Sequence, residues 1–132
     1  MKKLAFAVAI VVGTACAQSA RDEGPRTPPP VRAPSGAKDI VGIWRNVHQG
    51  VFEVRDDGSY VLISPITEPE AGRYQLNDDR VALRGDKGCG AVEATYGVRV
   101  THAQRMDLSA DRDPCAPRRR VLGSDPWIYT PR

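Results

Sequence analysis

The sequence predicts an all-β domain: a small, antiparallel, eight-stranded up-and-down barrel with one short helical turn. From Asp39 onward, apolar and polar residues alternate with period two, as in strands that bury one face. Polar turns rich in Asp and Asn separate these segments, which indicates successive hairpins. Eight strands with a single apolar face must hide both that face and their edges, and closure into a barrel does both.

The strands are predicted in chain order, with short connections between most of them. They are residues 41–45, 51–55, 60–63, 72–76, 80–84, 93–100, 105–109 and 126–130. Their apolar positions define one face, made of Phe52, Val54, Tyr74, Leu76, Val81, Leu83, Tyr96, Val98, Met106 and Leu108. The opposite face is predicted to be polar and to meet water.

Two connections are longer than the rest. Residues 65–71 form the longest predicted loop and the best candidate for a presented surface. Residues 113–122 are predicted to form the helical turn, because Asp113 can cap it, Pro114 suits a first helical position and Gly123 can end it.

The first residues have the features of an export signal. Lys2 and Lys3 precede an apolar run, residues 4–12, that is too short to span a bilayer as a helix. The segment Gly13-Thr14-Ala15-Cys16 resembles the bacterial lipoprotein processing box, which implies lipidation of Cys16 and a position on the periplasmic face of the membrane. The alternative is ordinary cleavage after Ala17, which gives a soluble periplasmic or secreted protein.

This interpretation divides the chain into three parts. Residues 1–17 are the signal peptide, residues 18–38 a Pro-rich disordered linker and residues 39–132 the barrel domain. The linker holds five prolines and almost no apolar residues, so it cannot bury enough surface to fold. Its extended conformation suits a spacer between a membrane anchor and a domain.

The three cysteines of the chain predict one disulfide. Cys16 is either acylated or lost with the signal, so Cys89 and Cys115 are left to pair. The bridge closes a loop worth roughly 3 kcal/mol in the chain-entropy model. The alternative is two free buried thiols. A metal site is not expected, because these two cysteines and two separate histidines lack zinc-ligand spacing.

Charge and motifs exclude several function classes. Without Lys2 and Lys3 the 19 basic residues fall to 17, against 16 acidic ones, so we expect no nucleic-acid binding. His48 and His102 have no nucleophile or carboxylate at triad spacing, so we expect neither catalysis nor a cofactor. The Asp pairs lie at turns and lack the calcium-loop pattern.

One motif carries a resemblance to a known family. Gly42-x-Trp44 at the start of the first strand of an eight-stranded meander resembles the signature of the lipocalin (calycin) superfamily. The resemblance covers residues 39–131 and implies that Trp44 packs on an arginine from late in the chain, one of Arg118, Arg119 and Arg120. The strands are shorter than in a full lipocalin.

The resemblance implies a non-catalytic binding module, a monomer, for a small hydrophobic or amphipathic ligand. The residues expected to contact that ligand are Phe52, Tyr74, Tyr96 and Trp127. The alternative is an envelope interaction protein, such as a lysozyme or protease inhibitor or an accessory subunit. The membrane would be contacted through the N-terminal lipid anchor only.

Overall fold

The computed structural model describes residue 13, residues 30–102 and residues 104–132. The predicted signal peptide except Gly13, the predicted lipidation site Cys16 and residues 18–29 of the predicted linker lie outside the described residues. Among the residues described, no helix combines the length and apolar character that crossing a membrane requires.

The predicted eight-stranded antiparallel barrel is confirmed. Each strand pairs with the next, and the last strand pairs with the first, so the sheet closes on itself. The strands are β1 (Gly42–Arg45), β2 (Val51–Val54), β3 (Ser59–Ser64), β4 (Thr67–Asn77), β5 (Arg80–Gly85), β6 (Ala94–Thr101), β7 (Arg105–Arg112) and β8 (Trp127–Thr130). One α-helix, α1 (Ala116–Gly123), and two 3-10 turns, Ala37–Asp39 and Gly88–Ala91, complete the fold.

The inward side chains fill the barrel with large apolar groups. Phe52 packs its ring 6.0 Å from that of Tyr60 and 5.8 Å from that of Trp127, measured between centroids. Of the ten residues predicted on the apolar face, eight are buried, and Tyr74 and Leu76 are half-buried against the same core. The alternation that predicted the strands therefore also predicted which side chains form the core.

The up-and-down topology gives the barrel two different ends. At one end, called the α1 end here, lie α1 and the connections β1–β2, β3–β4, β5–β6 and β7–β8. The other end holds the connections β2–β3, β4–β5 and β6–β7 and the segment that precedes β1. There the indole of Trp44 donates a hydrogen bond to the Ile40 carbonyl at 2.8 Å.

The outer face is polar on one side only, which corrects the prediction that all of it is polar. On β8, β1, β2 and β3 the register aligns Ile128, Arg45, Val51 and Ile63 in one row that crosses four strands. The neighbouring row holds Ile43 and Val61 together with the polar residues Thr130 and Glu53. These strands carry aliphatic residues at both odd and even positions. Because successive side chains point to opposite faces of the sheet, some aliphatic residues face the core and the others face outward.

The predicted loop at residues 65–71 is wrong, because β4 begins at Thr67 and leaves only a two-residue connection. Leu62 pairs with Glu70 and Ser64 with Thr67, so β4 has one extra residue between these pairs. This bulge lies at Pro69. A proline has no N–H to give to a ladder, and a bulge is one of the few places in a sheet that tolerates it.

Part of the Pro-rich segment contacts the barrel. The backbone of Arg32 exchanges two hydrogen bonds with Val100, and Pro34 is buried. The Arg32 guanidinium lies 2.9 Å from the Asp39 carboxylate, and its hydrogen bond is the largest cause of the lowered Asp39 pKa, about 2. The packed chain therefore begins several residues before the predicted boundary at residue 39.

Cys89 and Cys115 lie at disulfide distance, as predicted, with their Cα atoms 5.4 Å apart. The pair joins the 3-10 turn between β5 and β6 to the residue that precedes α1. The helix itself begins at Ala116, so the prediction that Pro114 occupies its first position is wrong. Cys115 is the N-cap, and Pro117 lies in the first turn, where no backbone N–H is needed.

We predict that the Cys89→Ser/Cys115→Ser double variant is less stable than the wild type by roughly 3 kcal/mol, because the open loop has more conformational freedom when unfolded. For a domain of this size the melting temperature should fall by about 15 °C. Thermal unfolding followed by circular dichroism measures the shift. Reductant should lower the wild-type melting temperature equally and leave that of the variant unchanged. An unchanged wild-type melting temperature in reductant would contradict the prediction.

Candidate functional site

A buried arginine organises the α1 end of the barrel. The side chain of Arg118, on α1, is only 1% exposed. Its Nε and Nη2 atoms each donate to one oxygen of the Asp113 carboxylate at 3.0 Å, which is a bidentate ion pair. Nη1 donates to Glu70 Oε1 on β4 at 2.9 Å, and Nη2 also donates to the Val92 carbonyl at 2.9 Å. One guanidinium thus ties the helix to two strand connections and to β4.

Two tyrosines complete this cluster from inside the barrel. The Tyr60 hydroxyl donates to Glu70 Oε1, and the Tyr96 hydroxyl donates to Asp113 Oδ2. Burial first, and then the hydrogen bond to the adjacent carboxylate, raises the pKa of each tyrosine above its usual value. Both phenols therefore stay protonated and act as fixed donors to the carboxylates.

The ion pair determines the charge states of its members. Burial acts to raise the pKa of Asp113, but hydrogen bonds from Arg118, Tyr96 and the Cys115 N–H outweigh burial and leave that pKa below its usual value. Burial likewise opposes the charged form of Arg118, yet its bonds to Asp113 and Glu70 raise its pKa. Asp113 and Arg118 are therefore both charged at neutral pH.

The local sequence explains how Arg118 reaches the interior. Arg118, Val121 and Leu122 are the buried residues of α1 and share one helix face through their spacing of three and four. Asp113 Oδ1 accepts the Cys115 N–H at 2.9 Å, which holds the chain in position where the helix begins. The helix therefore packs on the barrel through Val121 and Leu122, with the buried charge of Arg118 in its first turn.

A cleft of about 660 Å³ opens beside this cluster. Leu62, Ile66, Pro69 and Pro117 supply its apolar walls, and the disulfide residue Cys89 lies along one side. Its polar lining residues are Thr67, Glu68, Glu70, Lys87 and Arg118. An apolar cleft of this size with a few fixed polar groups is the usual form of a small-molecule site.

Two oxygen atoms of the residues that line the cleft lack hydrogen bonds. Thr67 Oγ1 is buried and has no partner in the described part of the chain. Glu70 is nine-tenths buried, and both of its recorded hydrogen bonds end on Oε1. Within residues 30–102 and 104–132, Glu70 Oε2 thus accepts nothing. Polar atoms of buried residues are normally paired, so the two oxygens are candidate ligand contacts.

The structure distributes the predicted ligand-contact residues over the core. Phe52, Tyr96 and Trp127 are each at most 2% exposed and pack inside the barrel. Tyr74 is half-buried toward the opposite end, where its hydroxyl donates to the Arg55 carbonyl at 2.6 Å. Trp127 donates its indole N–H to the Leu122 carbonyl at 3.1 Å. The four residues do not surround one opening.

The structure also shows where the residues of the lipocalin-like signature lie, and it corrects the predicted partner of the buried arginine. Gly42 has a positive φ of 149°, and a Cβ there would lie 2.5 Å from the Tyr129 ring, so glycine is required. Trp44 packs edge-on against Tyr129, with ring centroids 5.5 Å apart. One of the three consecutive arginines is buried, as predicted, but Arg118 pairs with carboxylates and not with the Trp44 ring. A carboxylate compensates a buried guanidinium better than an aromatic face does.

Sequence reasoning missed Glu70 and Thr67 as site residues, and it favoured a turn and helix cap over a ligand role for Asp113. Glu70 is 48 residues from Arg118, so no local spacing connects them. The described residues contain no group of three or more His, Cys, Asp or Glu side chains placed to hold a metal ion.

No protein-family model, no curated protein and no solved structure matches this chain. The closed eight-stranded antiparallel barrel is compatible with the lipocalin-like fold that the sequence motif resembles.

We predict that Arg118→Met destabilises the domain by about 3–5 kcal/mol, because it leaves two buried carboxylates without their cation. The matched control is Arg120→Met, an exposed residue of the same helix, which should change stability by no more than about 0.5 kcal/mol. Urea unfolding at pH 7 measures both values.

The pH dependence gives a second check of the same prediction. The lowered pKa of Asp113 stabilises the wild type above the unfolded value near 4, and this contribution is lost as the pH falls through the folded-state pKa. The stability difference between the wild type and Arg118→Met should therefore narrow in acid. A difference that is small at pH 7, or that widens below pH 4, would contradict the prediction.

Proposed function

We propose that this protein is an exported, non-catalytic binding module with a lipocalin-like barrel, and that it binds a small amphipathic ligand. The observation that carries the proposal is the cleft at the α1 end, with its apolar walls and buried polar groups. The interior of the barrel is filled by aliphatic and aromatic side chains, so the proposed ligand lies in the cleft and not in the lumen.

Exposed aliphatic side chains around the α1 end support this location. Val47, Ile66 and Val92 are 76%, 59% and 46% exposed, and they come from three different connections. Ile66 also lines a second, mostly apolar cleft of about 290 Å³ on its other side. Clustered apolar surface at one end of a small domain is typical of a binding surface.

A binding role fits the chemistry of the site better than an enzymatic one. Arg118 and Asp113 are bonded to each other, and both tyrosines are held protonated as donors. His48 is exposed and pairs with Asp125 at 2.8 Å, and it does not line the cleft beside Arg118. These groups supply recognition and rigidity, and we propose no reaction, metal or cofactor for them.

The alternative function is an envelope protein-protein interaction module, and one observation favours it. The aliphatic row on β8, β1, β2 and β3 exposes Ile63 and Ile128 to solvent by 46% and 50%. Such a face suits a protein partner of the kind that an inhibitor or an accessory subunit binds. The two functions place the binding surface at different sites, so matched substitutions distinguish them.

We predict that Ile66→Asn weakens binding of the neutral fluorescent probe N-phenyl-1-naphthylamine several-fold, since a partly buried aliphatic side chain contributes on the order of 1 kcal/mol. The control is Ile128→Asn, the same change at a similarly exposed residue that lines none of the described clefts. Fluorescence titration measures both affinities. If only the Ile128 variant loses affinity, the outer face is the binding surface and the alternative function is favoured.

The residue that we expect to determine the cellular location, Cys16, lies outside the described part of the chain. We propose that Cys16 carries a lipid that anchors the domain at the periplasmic face of the membrane, the alternative being a soluble exported protein. Cys16→Ser is expected to move the protein from the membrane fraction to the soluble fraction of cells without changing the melting temperature of the domain. Fractionation with immunodetection measures this, and membrane association retained by the variant would contradict the lipid anchor.

A further inference from the structure

We propose that the cleft at the α1 end selects ligands that carry a protonated amine beside an apolar chain. This inference rests on the proposed binding function and specifies its ligand. It is carried by the free carboxylate oxygen of Glu70, together with the unpartnered hydroxyl of Thr67, in a cleft whose walls are apolar.

The hydrogen-bonding capacity of Glu70 is only half used. The Tyr60 hydroxyl and Arg118 Nη1 both donate to Oε1, while Oε2 accepts nothing from the described residues. Unlike Thr67 Oγ1, Glu70 Oε2 is not among the buried atoms without a partner, so it is open to the cleft and within reach of a ligand. A ligand donor at this point gains a charge-assisted hydrogen bond, which is about twice as strong as a neutral one.

Thr67 adds a second acceptor on the same strand. Its Oγ1 atom is buried and unpartnered, and Thr67 lines the same cleft as Glu70. An ammonium group has three donors and no acceptor, so it can serve two oxygens at once. A carboxylate ligand has only acceptors, so it can accept the Thr67 O–H but offers no donor to Glu70 Oε2.

The charged side chains that line the cleft are two carboxylates, Glu68 and Glu70, and two cations, Lys87 and Arg118. Because the two signs are equal in number, the preference for a cation rests on the free oxygen of Glu70 and not on a net charge of the cleft.

The apolar walls determine the rest of the ligand. Leu62, Ile66 and Pro117 line the cleft beside the polar residues, and they offer surface to a short alkyl or aryl chain. The chemical class is therefore a primary amine with one apolar chain, which distinguishes this proposal from binding of any hydrophobic molecule.

The test compares three probes with the same chain: octylammonium, octanoate and 1-octanol. At pH 7.5 the amine is protonated and the acid ionised. Calorimetry with the full chain should show octylammonium binding at least about tenfold more tightly than 1-octanol, with octanoate weakest. The Glu70→Gln variant should lose this preference, while Glu93→Gln, the same change at an exposed residue that does not line this cleft, should keep it.

A further variant covers the case in which Glu70→Gln fails to fold. Thr67→Val removes only the unpartnered hydroxyl and should leave the melting temperature unchanged or higher. It should weaken octylammonium binding several-fold. Octylammonium affinity that is unchanged in this variant would contradict the Thr67 contact.

The remaining outcomes separate this inference from the proposed function. Equal affinity for the three probes, or preference for octanoate, overturns the amine selectivity and leaves a binding cleft. Equal loss of preference in Glu93→Gln and Glu70→Gln assigns it to general electrostatics and also overturns the specific contact. If no probe binds, the proposed function itself fails.

Discussion

The structure depends on the compensation of one buried charge, that of Arg118. A guanidinium removed from water costs several kcal/mol unless ion pairs and hydrogen bonds replace the lost solvation. Here that requirement is met by Asp113, Glu70 and the Val92 carbonyl, which come from three separate parts of the chain. Because each partner has a fixed direction, α1 has one position in which the charge is satisfied. The arginine therefore specifies how the helix closes this end of the barrel.

The walls of the cleft are held in place by the same contacts that fix α1. One wall belongs to α1, which is fixed by Arg118, and one side follows the segment that the Cys89–Cys115 pair holds against the helix. The remaining wall is β4, whose Glu70 is held by Tyr60 and Arg118. A site built in this way needs little reordering when a ligand enters, so less of the interaction energy is spent on ordering side chains. The ion network of Arg118, the Cys89–Cys115 pair and the cleft are therefore parts of one structural unit.

The sequence predicted the barrel well and the site poorly, for a physical reason. Period-two alternation is local, so it identified the strands and the buried side of residues such as Leu83 and Val98. Cysteine pairing followed from counting. Glu70 was missed because Pro69 favours a loop, and only the partner strand shows that a bulge accommodates the proline inside β4. The partners of Arg118 were missed because one of them is 48 residues distant, and a long-range ion pair leaves no periodic signal.

Stability alone does not account for the composition of the cluster. A buried ion network is often matched or exceeded in stability by apolar residues of the same volume, and here two carboxylates share a single guanidinium. The tyrosines donate hydrogen bonds to these carboxylates but bring no positive charge. Glu70 Oε2 receives no donor from the described residues, and a cationic ligand that binds it only in the folded state would stabilise the domain. Ligand recognition and domain stability are then coupled through the same carboxylate, Glu70.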